Sequence, residues 1–567
     1  NGWRGHHGRR VNYCPCSPNY RRFAAQIAGK LAERYATHPA VVLWHVSNEY
    51  GGQCMCETCA AAFREWLQQR YGSLDELNAR WWTRFWGHTY TDWSQIEPPY
   101  ADGEHLTHGL TIDYKRFQSD AMLECFKLER DTLRERAPGI PITTNLMGTY
   151  PHLDYRAWAP EMDVISWDCY PWPSADPGDI AFLHDLNRGL KDGQPFMLME
   201  QTPSSQNWQP INALKRPGVL RLWSYLAMAH GADTVMYFQW RRGRGGCEKF
   251  HGAVVDHGGR SDTRVFREVA ALGAELEQLG DATIGAGTPA RVAVLFDWNN
   301  WWAIDDAIGP IQKKEYVATV RKHYRALWRR NVPVDVVFSD SDLSGYDVLV
   351  APMLHMVKPG LAERIEALVE RGGAFVTTYF SGVVDETDLA FEGYPGPLAR
   401  VLGLRVEEID ALYEGQANRI MMSEGGTSYS CSRLCDIVHS EGARVLATYG
   451  EDFYAGTPAL TEHTFGAGSA WYIASDPEDA LLDDLYSGIL AARQIAPLLE
   501  TPAGVEVALR ESASRRLLFV LNHNAEPHTV ALPSNARYAD LLGGGEAEGQ
   551  IQLAGYDVRI LEEVNRP

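Results

Sequence analysis

Two glutamates close apolar runs: Glu49, in Trp-His-Val-Ser-Asn-Glu-Tyr-Gly, and Glu200, in Phe-Met-Leu-Met-Glu-Gln. An ionised carboxylate at the end of a buried strand is costly unless it is paired or put to work. Facing one another across a cleft, two carboxyls can hydrolyse a glycosidic bond: one protonates the leaving oxygen, and the other attacks the sugar or activates water. Taken singly, each glutamate is explained as well by an ion pair or a helix cap. Taken together they point to sugar chemistry, since the surrounding loops are rich in tryptophan and ring faces suit polyhydroxylated ligands. A second group is Cys54, Cys56 and Cys59, with Cys14 or Cys16 upstream. Four thiolates make a closed tetrahedral zinc site of the structural kind. A redox Cys-x-x-Cys pair fits less well because of the extra Cys56, and reduced thiols without metal remain the alternative. Catalytic zinc is disfavoured, since no histidine pair lies nearby.

The elements that must position these groups fall into three zones. Residues 1–285 alternate strand-like and helix-like runs. Strands are expected at 41–46, 140–147, 164–170, 196–200 and 234–240. Helical stripes are expected at Phe23, Ile27, Leu31 and Tyr35 and at Phe117, Ala121, Cys125 and Leu128. Ser73 and Glu76 offer a capping box. Polar residues end several strands: Asn48 and Glu49, Asn145, Asp168, Glu200 and Gln239. In an α/β barrel of the (β/α)8 TIM type that edge carries the chemistry, and no Gly-rich phosphate loop follows any of the strands. Residues 288–497 restart the α/β pattern, with strands at 292–296, 334–338, 348–351 and 374–378 and helices at 316–330 and 361–371. Residues 502–567 read as a small antiparallel β domain.

The chain has 567 residues, enough for two to four domains. Its 53 Lys and Arg against 73 Asp and Glu leave a formal charge of −20. That balance argues against nucleic acid and anionic membranes as partners. No apolar run reaches the roughly 18 residues of a membrane span. Ten cysteines are too few for a disulfide scaffold, so a reducing cytoplasmic setting is expected.

Five segments sharpen the reading: Arg9 to Cys14, Asn48 to Gly51, Cys54 to Cys59, Ser166 to Pro171, and Met199 through Trp208. In these the chain resembles the β-galactosidases of glycoside hydrolase family 42, and the similarity extends through both downstream zones. The resemblance implies a TIM-type catalytic barrel over 1–285, a flavodoxin-like trimerisation domain over 288–497 and a C-terminal β domain. It implies a homotrimeric retaining exo-β-galactosidase with Glu49 as acid/base and Glu200 as nucleophile. Arg10, Asn48, Trp208, Glu248 and His251 would hold the terminal galactose, the last two on a looser match. It selects Cys14 over Cys16 for the zinc set with Cys54, Cys56 and Cys59, and it implies no organic cofactor. A related specificity, such as α-L-arabinopyranoside hydrolysis, and a catalytically silent sugar-binding scaffold stay open. Counting back from Glu200 on barrel strand 7 puts Glu49 on strand 4. Five strands are then expected before residue 285, with an open seam and the first three barrel strands lying ahead of Asn1.

Overall fold

A computed structural model describes residues 10–564. In the first zone short parallel strands alternate with helices. They are β1 (Trp44–His45), β2 (Ile142–Thr143), β3 (Asn145–Leu146), β4 (Ser166–Asp168), β5 (Phe196–Glu200) and β6 (Ala232–Val235). β1 pairs with β2, and β3 to β6 pair in chain order, all parallel. β2 and β3 are one expected run interrupted at Thr144; the first four expected strands are present, three of them shorter than their apolar runs, and the fifth, expected at 234–240, lies at Ala232–Val235. Among the described residues the ladders stop at β1 and β6 without joining.

The expected helix is present as Pro18–Tyr35, and its apolar stripe is the face left open among the described residues. Its Phe23, Ile27 and Leu31 are 57%, 60% and 44% exposed, and Tyr35 is exposed as well. It docks by its small residues instead: Ala28, Gly29 and Ala32 are buried, and Gly29 lies against Thr132 of the long helix His108–Arg134. Small side chains let the two backbones approach, which turns the bulky stripe outward. The stripe on His108–Arg134 behaves as read, with Phe117, Ala121 and Cys125 buried. Ser73 caps the helix Leu74–Arg80 by accepting from the Glu76 amide at 3.2 Å.

The middle zone contains β7 (Val292–Leu295), β8 (Val334–Val337), β9 (Val348–Ala351) and β10 (Ala374–Thr378). They are joined by β11 (Leu404–Ala411), β12 (Asn418–Met422), β13 (Ser428–Ser440), β14 (Arg444–Tyr449), β15 (Pro458–Phe465) and β16 (Gly468–Ile473). The parallel part runs β8-β7-β9-β10-β16, the flavodoxin-like order. β11 to β15 extend the sheet with antiparallel pairing. That extension was not anticipated: its strands mix Arg, Glu and Ser with the apolar positions, and their alternation is weak. The last zone is an antiparallel sheet built on Val505–Glu511, Arg516–Asn522 and Val558–Glu563.

A buried charge network fastens the three zones together. His230, at the end of the helix before β6, contacts Asp185 at 2.9 Å through Nδ1 and Glu506 at 2.6 Å through Nε2. Tyr324 donates to Asp185 at 2.5 Å, and Trp328 donates to Glu506 at 2.8 Å. His523 reaches the other oxygen of Glu506 at 2.8 Å. Burial alone would depress His230, but the carboxylates of Asp185 and Glu506 outweigh it and raise its pKa to about 9. Burial likewise opposes ionisation of Glu506, yet His230 and His523 hold its carboxyl well below the usual range. The folded pKa of His230 exceeds the unfolded value of about 6.5, so its contribution is full below that pH and is lost as pH rises through about 9. The contribution of Glu506 is full above about 4.3 and disappears as pH falls. Stability should therefore decline from pH 7 to 10. His230→Gln, which removes the charge shared by Asp185 and Glu506 while Arg188 and His523 stay beside them, should lower stability by about 3 kcal/mol at pH 6.5 and flatten the alkaline decline. Denaturant melts of both chains across that range measure this.

Candidate active site

The strand ends converge at the C-terminal edge of the parallel sheet. After β1 the chain turns sharply: Ser47 and Glu49 hold φ of 56° and 43°. Such left-handed geometry in non-glycine residues costs about 1–3 kcal/mol, and the turn brings Glu49 over the sheet edge. Asn145, at the start of β3, secures it. Its side-chain oxygen accepts from the Glu49 amide at 2.8 Å and lies 3.0 Å from His45 Nε2. Its amide nitrogen donates to Asp168 at 2.6 Å and to Asn48 at 3.0 Å, and lies 3.5 Å from Glu200.

Glu49, Asp168 and Glu200 each place one carboxylate oxygen within 4.8 Å of the other two. Carboxyls about 5–5.5 Å apart belong to retaining glycosidases, and gaps of about 6.5–9.5 Å to inverting ones. The Arg10 guanidinium forms an ion pair with Glu49. Tyr170 donates its hydroxyl to Glu200. Burial raises the Glu200 pKa and so does Glu49, while the Tyr170 hydrogen bond and Arg10 pull it back.

Facing these carboxyls is an aromatic wall. Trp208 is 49% exposed. Its ring stacks on buried His251 at 5.0 Å and meets the Tyr170 ring edge-on at 5.0 Å. His251 is held by Asn207 Oδ1 at 3.1 Å and the Phe238 carbonyl at 3.2 Å. Both partners are acceptors, so the neutral ring, whose pKa burial depresses, donates to only one of them. Glu248 sits on the short turn Cys247–Phe250, exposed, and its charge is felt by both Glu200 and His251.

Arg10, Asn48, Glu49 and Glu200 thus share one cluster, with Trp208, His251 and Glu248 across from it. Sequence reasoning assigned no role to Asn145, Asp168 or Tyr170. Asn145 was visible only as a polar strand end, Asp168 as a strand end within a matched segment, and Tyr170 only as part of that segment.

The cysteines form a separate cluster a few residues beyond Glu49. The sulfurs of Cys14, Cys54, Cys56 and Cys59 all lie within 4.8 Å of one another, with Cys14 at 3.3 Å from Cys59 and 3.5 Å from Cys56. A tetrahedron with Zn–S bonds of about 2.3 Å requires sulfurs roughly 3.8 Å apart, so the four fit. Cys16 lies outside this set, and all ten cysteines are free thiols. Tyr114 donates to the Cys54 carbonyl at 2.6 Å and Gln118 accepts from its amide at 2.9 Å, which pins the loop to the helix His108–Arg134.

Residues 1–279 match the glycoside hydrolase family 42 profile described as β-galactosidase. Residues 290–496 match its β-galactosidase trimerisation domain, and residues 504–563 its β-galactosidase C-terminal domain. A β-galactosidase of Planococcus sp. is 52% identical over 98% of this chain and 84% of its own length. One from Alicyclobacillus acidocaldarius is 48% identical, over 100% of this chain and 84% of its own length. Among solved structures, the β-galactosidase from Bacillus circulans sp. alkalophilus superposes with a TM-score of 0.97 at 52% identity, covering 99% of this chain and 84% of that one. A catalytic mutant of a family 42 β-galactosidase from G. stearothermophilus superposes at 0.95 with 44% identity and the same coverage. A chain matched by three profiles of one family in succession, and sharing its fold so closely, belongs to the glycoside hydrolase family 42 β-galactosidases.

Proposed function

We propose that this chain is a retaining exo-β-galactosidase in which Glu49 is the acid/base and Glu200 the nucleophile. One carboxyl oxygen of each lies within 4.8 Å of the other, and that proximity carries the reading. Glu200 attacks the anomeric carbon while Glu49 protonates the departing oxygen. Glu49 then takes a proton from water, which displaces Glu200 from the glycosyl ester with net retention. Tyr170 supports the nucleophile role by bonding the ionised form of Glu200. Asn48, beside the acid, would donate to the sugar 2-hydroxyl, a contact that strengthens in the transition state. Trp208 would stack on the sugar face, with Arg10, Glu248 and His251 on its remaining hydroxyls. His251 is the weakest of these, since both its ring nitrogens already meet protein oxygens; its firmer role is to brace Trp208.

Glu200→Ala should cost at least about 10⁴ in kcat, and azide should restore turnover as the glycosyl azide of opposite anomeric configuration. Glu49→Ala should spare aryl galactosides with activated leaving groups far more than lactose, because they need little protonation. A panel of aryl glycosides, read for rate and anomeric product, checks both and separates galactoside from arabinopyranoside preference. A Glu200→Ala chain as active as the parent would refute the assignment.

Cys14, Cys54, Cys56 and Cys59 would hold a structural zinc, which supplies charge neutralisation of four thiolates and a cross-link between two loops. Free thiols throughout suit a reducing cytoplasm. Metal analysis of chelator-free protein should find about one zinc per chain, and Cys56→Ser should abolish it.

The trimerisation-domain match over 290–496 supports a homotrimer assembled through the middle zone, with a galactoside as the small-molecule partner. Closed cyclic symmetry would set three barrels around one axis. Light scattering at micromolar concentration should return three times the chain mass, and a monomer would refute it.

A further inference from the structure

The two glutamates do not face each other alone. Asp168 ends β4 between them and is 7% exposed. Its Oδ2 accepts from Asn145 at 2.6 Å. Its Oδ1 is shielded from solvent and meets no donor among the described residues. A buried carboxylate oxygen without a donor is costly, whereas a hydroxyl at that position can donate to a neighbouring carboxylate. Burial, then Glu200, then Glu49, push the Asp168 pKa up to about 10, with Asn145 opposing. The other titratable groups in electrostatic reach of Asp168 are Tyr155, Tyr170 and Cys169, all neutral in form, so they bring it no compensating charge. The guanidinium of the cluster, Arg10, is engaged by Glu49.

That ion pair poses a difficulty. A general acid must deliver a proton to the leaving oxygen, and the carboxyl of Glu49 is already engaged by the Arg10 guanidinium. We propose that Asp168 is the proton-holding partner of Glu49: the two carboxyls share one proton, which rests on Asp168 and passes through Glu49 to the departing sugar oxygen. This rests on the acid/base and nucleophile roles given above. In glycosylation the Asp168 O–H breaks as Glu49 gains that proton and delivers it to the glycosidic oxygen. The C1–O bond breaks and the Glu200 ester forms. In deglycosylation a water proton returns through Glu49 to Asp168, the water oxygen bonds C1, and Glu200 leaves as carboxylate. The three carboxyls carry two negative charges before and after each step, because the charge lost from Glu200 on esterification appears on Asp168. Asp168 acts only through Glu49 and is therefore a positioning residue.

Asp168→Asn keeps the size and an N–H donor toward Glu49 but holds no transferable proton. The kcat/KM of this variant, measured against pH, should fall about 10²–10³-fold at pH 7 for an alkyl galactoside or lactose, with the alkaline limb moving down by at least one pH unit. For dinitrophenyl galactoside the loss should be under about threefold, since its departure needs little acid. Asp168→Glu should recover part of the alkyl-galactoside rate. Equal losses for both substrates, or an unmoved alkaline limb, would overturn the proposal. If Asp168→Asn does not fold, infrared spectra of the unaltered enzyme decide: a protonated carboxyl band should persist at pH 9, and its absence is fatal. Failure of azide to rescue Glu200→Ala would instead overturn the underlying assignment of roles.

Discussion

Carboxyl groups crowded at one sheet edge repel one another, and much of the surrounding structure answers that repulsion. Three of them come within 4.8 Å, where unscreened like charges at an effective dielectric of about 20 oppose one another by several kcal/mol. Arg10 pairs with one, Tyr170 donates to another, and burial pushes the pKa of the third upward. Asn145 is the common scaffold. One short side chain bonds the backbone that carries Glu49 and the side chains of Asn48 and Asp168, and so ties three strand ends into a single constellation. The strain at Ser47 and Glu49 is tolerated because these bonds over-determine the turn.

The same principle of compensated burial operates where the zones meet. His230, Glu506 and Asp185 would each be unfavourable alone in that interior, and they are stable as a bonded chain that takes in Arg188 and His523 and is capped by Tyr324 and Trp328. Arg510 adds a second tie: fully buried, it donates to the carbonyls of Met228, Ala232 and Ala286 and pairs with Asp233 at 2.8 Å. The terminal β domain is thereby fastened to the base of the sheet whose opposite edge carries the chemistry.

Much of this was legible in the residues. Parallel strands buried on both faces announce themselves as apolar runs, and a glutamate closing such a run is conspicuous. The thiol cluster was legible from spacing because metal geometry demands proximity. Asp168 and Asn145 were noticed but not valued, since a buried polar side chain gains meaning only from its neighbours in space. The stripe at Phe23, Ile27, Leu31 and Tyr35 marked a helix that is present. Periodicity identifies an apolar face but not what covers it, and the face of Ala28, Gly29 and Ala32 won the contact with the neighbouring helix. The antiparallel strands β11 to β15 escaped because charged and polar residues blur their alternation, although their partners lie close in sequence, as at Met421 and Ser428.

That outward stripe has a practical consequence. In the described chain Phe23, Ile27 and Leu31 stand exposed along one helix, and Phe23 and Ile27 line, with Tyr20, a hollow of about 560 Å³. Wetted apolar area costs about 25 cal/mol per Å², so this face is a natural landing place for solvatochromic dyes and nonionic detergents. Dye fluorescence from these 567 residues therefore carries a contribution from this helix face as well as from unfolding.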